Sequence, residues 1–290
     1  MYNKLLIIFL TFIYTPILLS KPKFKLIESF KKDGPYNYSE ERNFEIRISK
    51  DELVSTDIFI VDSNEKRPLL IFQHGNKAHK GVHLNQARRA ASWGFNVVTI
   101  SQPNIKRWIT NGKVLGDFTK LLYSWPQILN NKFDRESIIL IGHSFGGSAA
   151  SIAAGSGAPV KGIVLLDPAL VSDKVIPYLK NINTNVALLG ADTKVFKSRR
   201  RYKFYKNIKK NMVEISVKNA THNDAQSPNL FSLKQSLGLE HATNTERQNF
   251  FISSILTAAY SITKKDNLSL FYKEMKKERR QGILSMLRSK

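Results

Sequence analysis

Along the chain, short continuous apolar runs alternate with longer stretches whose apolar residues recur at helical spacing, the pattern of strands buried on both faces between covering helices. Residues 68–72, 94–100, 138–141, 160–166, 185–192 and 212–217 are the strand-like runs, the last of them read as the final strand. Ahead of them, residues 44–48 alternate with period two and residues 55–61 form a second β-like run, together an antiparallel pair at the sheet edge. Residues 83–93, about 117–130 and 248–263 read as helices, and the first of these links two strands in a right-handed crossover. Residues 101–116, punctuated by Pro103, Gly112 and Gly116, read as a loop above the strand ends, with Trp108 as a pocket wall or packing anchor. Leu268, Phe271, Met275, Ile283 and Met286 mark an apolar stripe that predicts a basic terminal helix over about 266–290. Together these elements make an α/β fold with a mostly parallel central sheet and helices on both faces, read as one domain over residues 21–290.

Composition changes that picture in two places. Cysteine is absent, which excludes a disulfide framework and thiolate nucleophiles. The formal net charge is +22, which favours an anionic partner such as a phospholipid surface or an envelope polymer, unless the lysines only solvate the exposed faces. The N-terminus adds a processing signal. Lys4, the apolar stretch 5–19 and the small Ser20 before Lys21-Pro22 read as an export signal over residues 1–20, with an uncleaved anchor as the rival reading. Pro16 and the short run count against a spanning helix.

The chemistry centres on the run 138–141, which passes straight into Gly142-His143-Ser144-Phe145-Gly146-Gly147 and then into small residues suited to a helix. A serine held on a sharp turn between strand and helix occupies a strained backbone, so the positions two before and two after it must be nearly without side chain. Gly142 and Gly146 meet that need. The turn places Ser144 at a helix N-terminus, where unpaired N–H groups and the helix dipole favour an oxyanion. Ser144 is therefore a candidate nucleophile of the G-x-S-x-G kind, against a merely structural glycine–serine turn. Upstream, the run 68–72 ends at Gln73-His74-Gly75-Asn76, where the N–H of Asn76 would join that of Phe145 to form an oxyanion hole.

The strand 212–217 is followed by His222, the position of a general base in the chain order serine, acid, histidine. Asp167, after the run 160–166, and Asp192, after 185–191, both qualify as the acid that orients it. His143, inside the elbow, reads as packing or loop support. His79 and His83 lie four apart with no nearby carboxylate or third ligand, so no metal is expected, and His241 has no distinguishing context.

The segment Asp134-Arg135-Glu136-Ser137 leading into Ile141-Gly142-His143-Ser144-Phe145-Gly146-Gly147, with Phe72-Gln73-His74-Gly75 upstream, resembles the platelet-activating-factor acetylhydrolase family of α/β-hydrolases. It is similar, more distantly, to bacterial cutinase-like and dienelactone-hydrolase-like esterases, and the resemblance covers residues 65–230. It implies the α/β-hydrolase fold and a cofactor-free, metal-independent acyl-enzyme mechanism on carboxylic esters of lipid or short-chain acyl groups. In the acetylhydrolases the acid follows the strand after the elbow, the place of Asp167. In the cutinase-like esterases it comes one strand later and slightly further along than Asp192, close to where Lys194 stands here.

Residues 196–210 carry eight Lys or Arg and no acid, interleaved with Phe196, Tyr202, Phe204 and Tyr205. They read either as a surface for anionic head groups or as an amphipathic helix that packs its aromatics on the sheet. No nucleic-acid module is visible. The expected function is an exported serine esterase or lipase using Ser144, His222 and Asp167. Amide or thioester hydrolysis, acyl transfer, and a non-catalytic basic protein binding membrane or polymer are the alternatives.

Overall fold

The computed structural model describes residues 26–102, 107–192, 201–209, 211–228 and 243–290. The expected export segment, Pro103, Lys194, Phe196 and His241 lie outside those residues. Among the described residues, nine strands form one sheet: β1 (Tyr38–Ser49), β2 (Glu52–Val61), β3 (Arg67–Gln73), β4 (Asn96–Ser101), β5 (Phe133–His143), β6 (Gly162–Leu166), β7 (Asn185–Ala191), β8 (Met212–Val217) and β9 (Leu284–Ser289). Their order is β1-β2-β4-β3-β5-β6-β7-β8-β9. The pairings from β4 through β8 are parallel, while β1–β2, β2–β4 and β8–β9 are antiparallel.

The continuous apolar runs have the burial expected of two-sided strands. Leu70, Phe72, Ile139, Ile141, Val164 and Leu166 face one side of the sheet, against α2 (Leu84–Ser92), α7 (Thr245–Lys265) and α8 (Ser269–Arg280). The alternate residues Leu69, Ile71, Ile138, Leu140, Ile163 and Leu165 face the other side, under α3 (Trp108–Ser124), α4 (Phe145–Gly155), α5 (Ile176–Asn181) and α6 (Arg201–Asn207). A short helix, α1 (Leu26–Ser29), adds Ile27 to the first core. Each fully buried side chain of this size stabilises by about 1.5–3 kcal/mol, so the two cores together hold the central strands rigidly. No helix among the described residues is long and apolar enough to cross a membrane.

Two sequence expectations are corrected. The segment 101–116 is not a loop throughout, because α3 starts at Trp108 and carries both Gly112 and Gly116 inside it. A Cβ on Gly112 would stand 2.6 Å from Ile152 Cβ, and one on Gly116 would stand 3.6 Å from Ala153 Cα. These glycines let α3 approach α4 closely, so tertiary packing outweighs their low helix propensity. The stretch 266–290 is not one helix either. Helix α8 ends at Arg280, Gly282 turns the chain at φ 78°, and β9 returns antiparallel to β8, so 212–217 is not the final strand. Ile283 and Met286 fit helical spacing by number, yet they belong to an edge-strand segment whose buried member is Leu284.

Sheet register assembles the site. Gln73 lies opposite Gly142, and His143 opposite Leu166, so Gly75, Ser144 and Asp167 leave neighbouring strands at the same edge of the sheet.

Candidate active site

Ser144 joins β5 to α4 with φ 55° and ψ −122°, a conformation that costs an L-residue of order 1–3 kcal/mol and persists only when its surroundings enforce it. They do. Ser144 N donates to Leu166 O at 3.0 Å, and Ser144 O accepts from Gly147 N at 3.0 Å and from Ala169 N at 2.9 Å. There is no space for side chains beside it. A Cβ on Gly142 would meet Gly146 O at 2.3 Å, and one on Gly146 would meet His74 O at 2.4 Å. The expectation that both positions must be nearly bare is met by direct backbone contact.

Gly75 lies against the same turn, where an added Cβ would be 2.8 Å from Ser144 Cβ. The backbone that leads into Asn76 therefore passes beside the serine, while Phe145 is the first residue of α4. Among the described residues, no protein acceptor is bonded to the N–H of Asn76 or of Phe145. Beside the elbow, Trp108 packs on Phe145 with ring centroids 5.8 Å apart, and on His74 at 6.1 Å.

His222 opens a 3₁₀ turn after β8, and its Nδ1 donates to Asp167 Oδ2 at 2.6 Å. Asp167 is 1% exposed at the end of β6. Its other oxygen accepts from Ala191 N at 3.1 Å and from Arg201 Nη1 at 3.2 Å. The His222 turn is fastened from behind by the buried Asp224. That carboxylate accepts from Thr221 N at 2.7 Å, Asn244 N at 2.8 Å and Arg247 Nε at 2.8 Å. With Nδ1 committed to Asp167, Nε2 of the neutral imidazole is left as the proton acceptor. Among the described residues no hydrogen bond joins Nε2 to Ser144 Oγ, a contact that in such sites often tightens only when substrate binds.

His143 links the elbow to His222. Gln226 Nε2 donates to its Nδ1 at 2.7 Å, so its proton sits on Nε2, which donates to the backbone oxygen of His222 at 3.1 Å. The two rings lie 4.5 Å apart. Burial, reinforced by the neighbouring His222, holds the His143 pKa well below its ordinary value, so it serves as a neutral support. Burial likewise pushes His83 down to about 4, and its Nδ1 is bonded to Gln86 Oε1. His74, lowered by burial, donates from Nδ1 to Gly75 O at 2.7 Å.

His79 caps its own turn by accepting from Gly81 N, and no group of three or more metal-ligating side chains occurs among the described residues. Asp192 is exposed at the end of β7, and no hydrogen bond joins it to His222 among the described residues. Of the two aspartates open from sequence, the fold brings Asp167 to the histidine. Sequence reasoning missed Gln226 and Arg201. Gln226 carries no motif, and Arg201 sat inside a basic run where one arginine could not be told from the rest. In the fold, an added Cβ on Gly190 would stand 1.8 Å from Arg201 Nη1, so this glycine leaves room for the guanidinium. Searches against protein-family models and curated proteins return no match for the chain.

Proposed function

We propose that the protein is a serine hydrolase of carboxylic esters, an esterase or lipase built on an α/β-hydrolase fold. The observation that carries this reading is the 2.6 Å contact of His222 Nδ1 with the buried Asp167, on the same sheet edge as a serine held at φ 55°. The strand order, with the serine after β5 and the histidine after β8, is compatible with that fold. In the proposed reaction Ser144 Oγ attacks the ester carbonyl while His222 Nε2 takes its proton. Asp167 stabilises the imidazolium, and the N–H groups of Phe145 and Asn76 bind the oxyanion. His222 then protonates the leaving alcohol, and water attacks the acyl-enzyme by the reverse sequence.

Lipid or short-chain acyl esters are the substrates most in keeping with the resemblance, and the charge of +22 fits an exported protein that works beside an anionic membrane or envelope. The test is fluorophosphonate labelling of the purified protein together with hydrolysis of an acyl ester series. The parent should label and turn over, and Ser144→Ala should do neither while unfolding at the same denaturant concentration. An Ala variant that hydrolyses esters at the parent rate would sink the proposal.

A further inference from the structure

Three parts of the site meet at one side chain to which the proposed reaction gives no step. His143, at the end of β5, is peptide-bonded to Ser144 and is 1% exposed. Its ring lies 4.5 Å from that of His222, tilted by 38°, and its Nε2 donates to the His222 backbone oxygen at 3.1 Å. Gln226 Nε2 donates to its Nδ1 at 2.7 Å and thereby sets the tautomer. Gly75 closes the group, because a Cβ there would stand 2.8 Å from Ser144 Cβ and 3.2 Å from His143 Nδ1. The ring thus borders His222, its chain neighbour is the serine, and the backbone leading to Asn76 runs past both.

The ordinary explanation is that His143 fills space in the core. An apolar ring would do so without taking two nitrogens out of water, and it would give the His222 carbonyl no donor. The other fastenings of His222 act elsewhere. Asp224 bonds Thr221, one residue before the histidine, and Asp167 Oδ2 grips the ring at Nδ1. A bond at Nδ1 leaves the imidazole plane free to swing, because the terminal torsion of a histidine has broad wells. Such a swing carries Nε2 away from the serine. The face of His143 limits it, and the His143 N–H holds the backbone from which the ring hangs. Burial first, then the neighbouring His222 and His83, lower the pKa of His143, while Asp167 and the bond to the His222 carbonyl act the other way. The ring is therefore neutral and does not repel the imidazolium that the reaction creates.

We propose that His143 is a positioning residue for His222. It fixes the plane of the imidazole and the place of its backbone against Ser144, and Gln226 holds the tautomer that makes this bond. The assignment rests on the serine-hydrolase reading and deepens it. Because His143 precedes the serine directly in the chain, a shift of the elbow carries the proposed base with it.

The experiment measures kcat/KM for ethyl butyrate and p-nitrophenyl butyrate on the parent, His143→Leu, His143→Gln and Gln226→Met, with urea melts and fluorophosphonate labelling alongside. Both esters form the same acyl-enzyme, but ethoxide must be protonated by His222 as it leaves and p-nitrophenolate need not be. A misplaced imidazole therefore penalises the ethyl ester more. His143→Leu should lower kcat/KM by about 100-fold on the ethyl ester and by about tenfold on the p-nitrophenyl ester. His143→Gln should recover about tenfold on the ethyl ester, because its amide carries a donor near the place of Nε2. Gln226→Met leaves the ring in place but frees its tautomer. It should move the ratio of the two esters in the same direction by less, and it serves as the test if His143→Leu does not fold. A folded variant with that ratio unchanged overturns the assignment, whether or not activity falls, since general damage to the site slows both esters alike. A His143→Gln no better than His143→Leu on the ethyl ester overturns it too. A parent that neither labels nor turns over either ester removes the underlying reading instead, which separates the two failures.

Discussion

The two ends of the site are built by opposite means. The serine end is local and steric: Gly142 to Gly147 lie consecutively, carry no formal charge, and hold Ser144 by backbone contacts too close for a Cβ. The acid end is dispersed and electrostatic: Asp167, Arg201, Glu214 and Arg288 come from four separate elements and bond through charged groups. A turn made of backbone can be written in a short motif. A buried carboxylate needs countercharge from wherever the fold can deliver it, so its support leaves no contiguous trace. The two ends should therefore fail differently, the first by losing stability and the second by losing rate.

Asp167→Asn should give the largest effect, a fall of about 10⁴ in kcat, because an amide cannot hold the imidazole in its working tautomer or stabilise its cation. Steady-state ester hydrolysis beside a urea melt checks this, and a fall of less than tenfold would break the contrast. At the other end, Gly142→Ala should destabilise by about 3 kcal/mol, since its Cβ would stand 2.3 Å from a backbone oxygen that cannot yield as a side chain would. A urea midpoint within experimental error of the parent would show that the elbow is looser than its contacts imply.

This contrast also explains what could be read from the sequence. The central strands were legible because 68–72, 138–141 and 160–166 are unbroken apolar runs that only two-sided burial tolerates. The elbow was legible because its glycines stand at fixed offsets from Ser144, and His222 because it follows the strand that ends beside them. Gly112 and Gly116 misled, since a glycine admitting a neighbouring helix looks the same in sequence as one ending a helix. The turn at Gly282 was overlooked because Ile283 and Met286 continued the helical count by accident of spacing. Arg201 was invisible in its basic run, because nothing in the sequence marks it as the arginine whose guanidinium bonds Asp167.

Between the two ends lies an imidazole cluster whose effect should be of intermediate size. His83 is fully buried, and burial sets its folded pKa at about 4 against 6.5 when unfolded. Between those values the unfolded chain binds a proton that the folded one refuses, so stability is full above about pH 6.5 and declines as the pH falls toward 4. The loss across that window is about 3 kcal/mol. His143, lowered by burial and by His222, acts in the same direction. Urea midpoints should therefore fall from pH 7 to pH 5, and His83→Asn should flatten the fall. An equally steep fall in the variant would assign the sensitivity to other groups.

The smallest effect belongs to Asp192→Asn. This carboxylate is exposed at the end of β7, and among the described residues it has no hydrogen bond to His222. Removing its charge should change kcat/KM by less than about twofold and stability by less than about 0.5 kcal/mol, as for an ordinary surface substitution. The comparison with Asp167→Asn is decisive because both aspartates follow neighbouring parallel strands and only their surroundings differ. A loss of 100-fold or more at Asp192 would transfer the acid role to it, and the charged row behind Asp167 would then be holding a structural carboxylate. Indifference at Asp192 with collapse at Asp167 would tie the role of the acid to buried countercharge rather than to its place in the strand order.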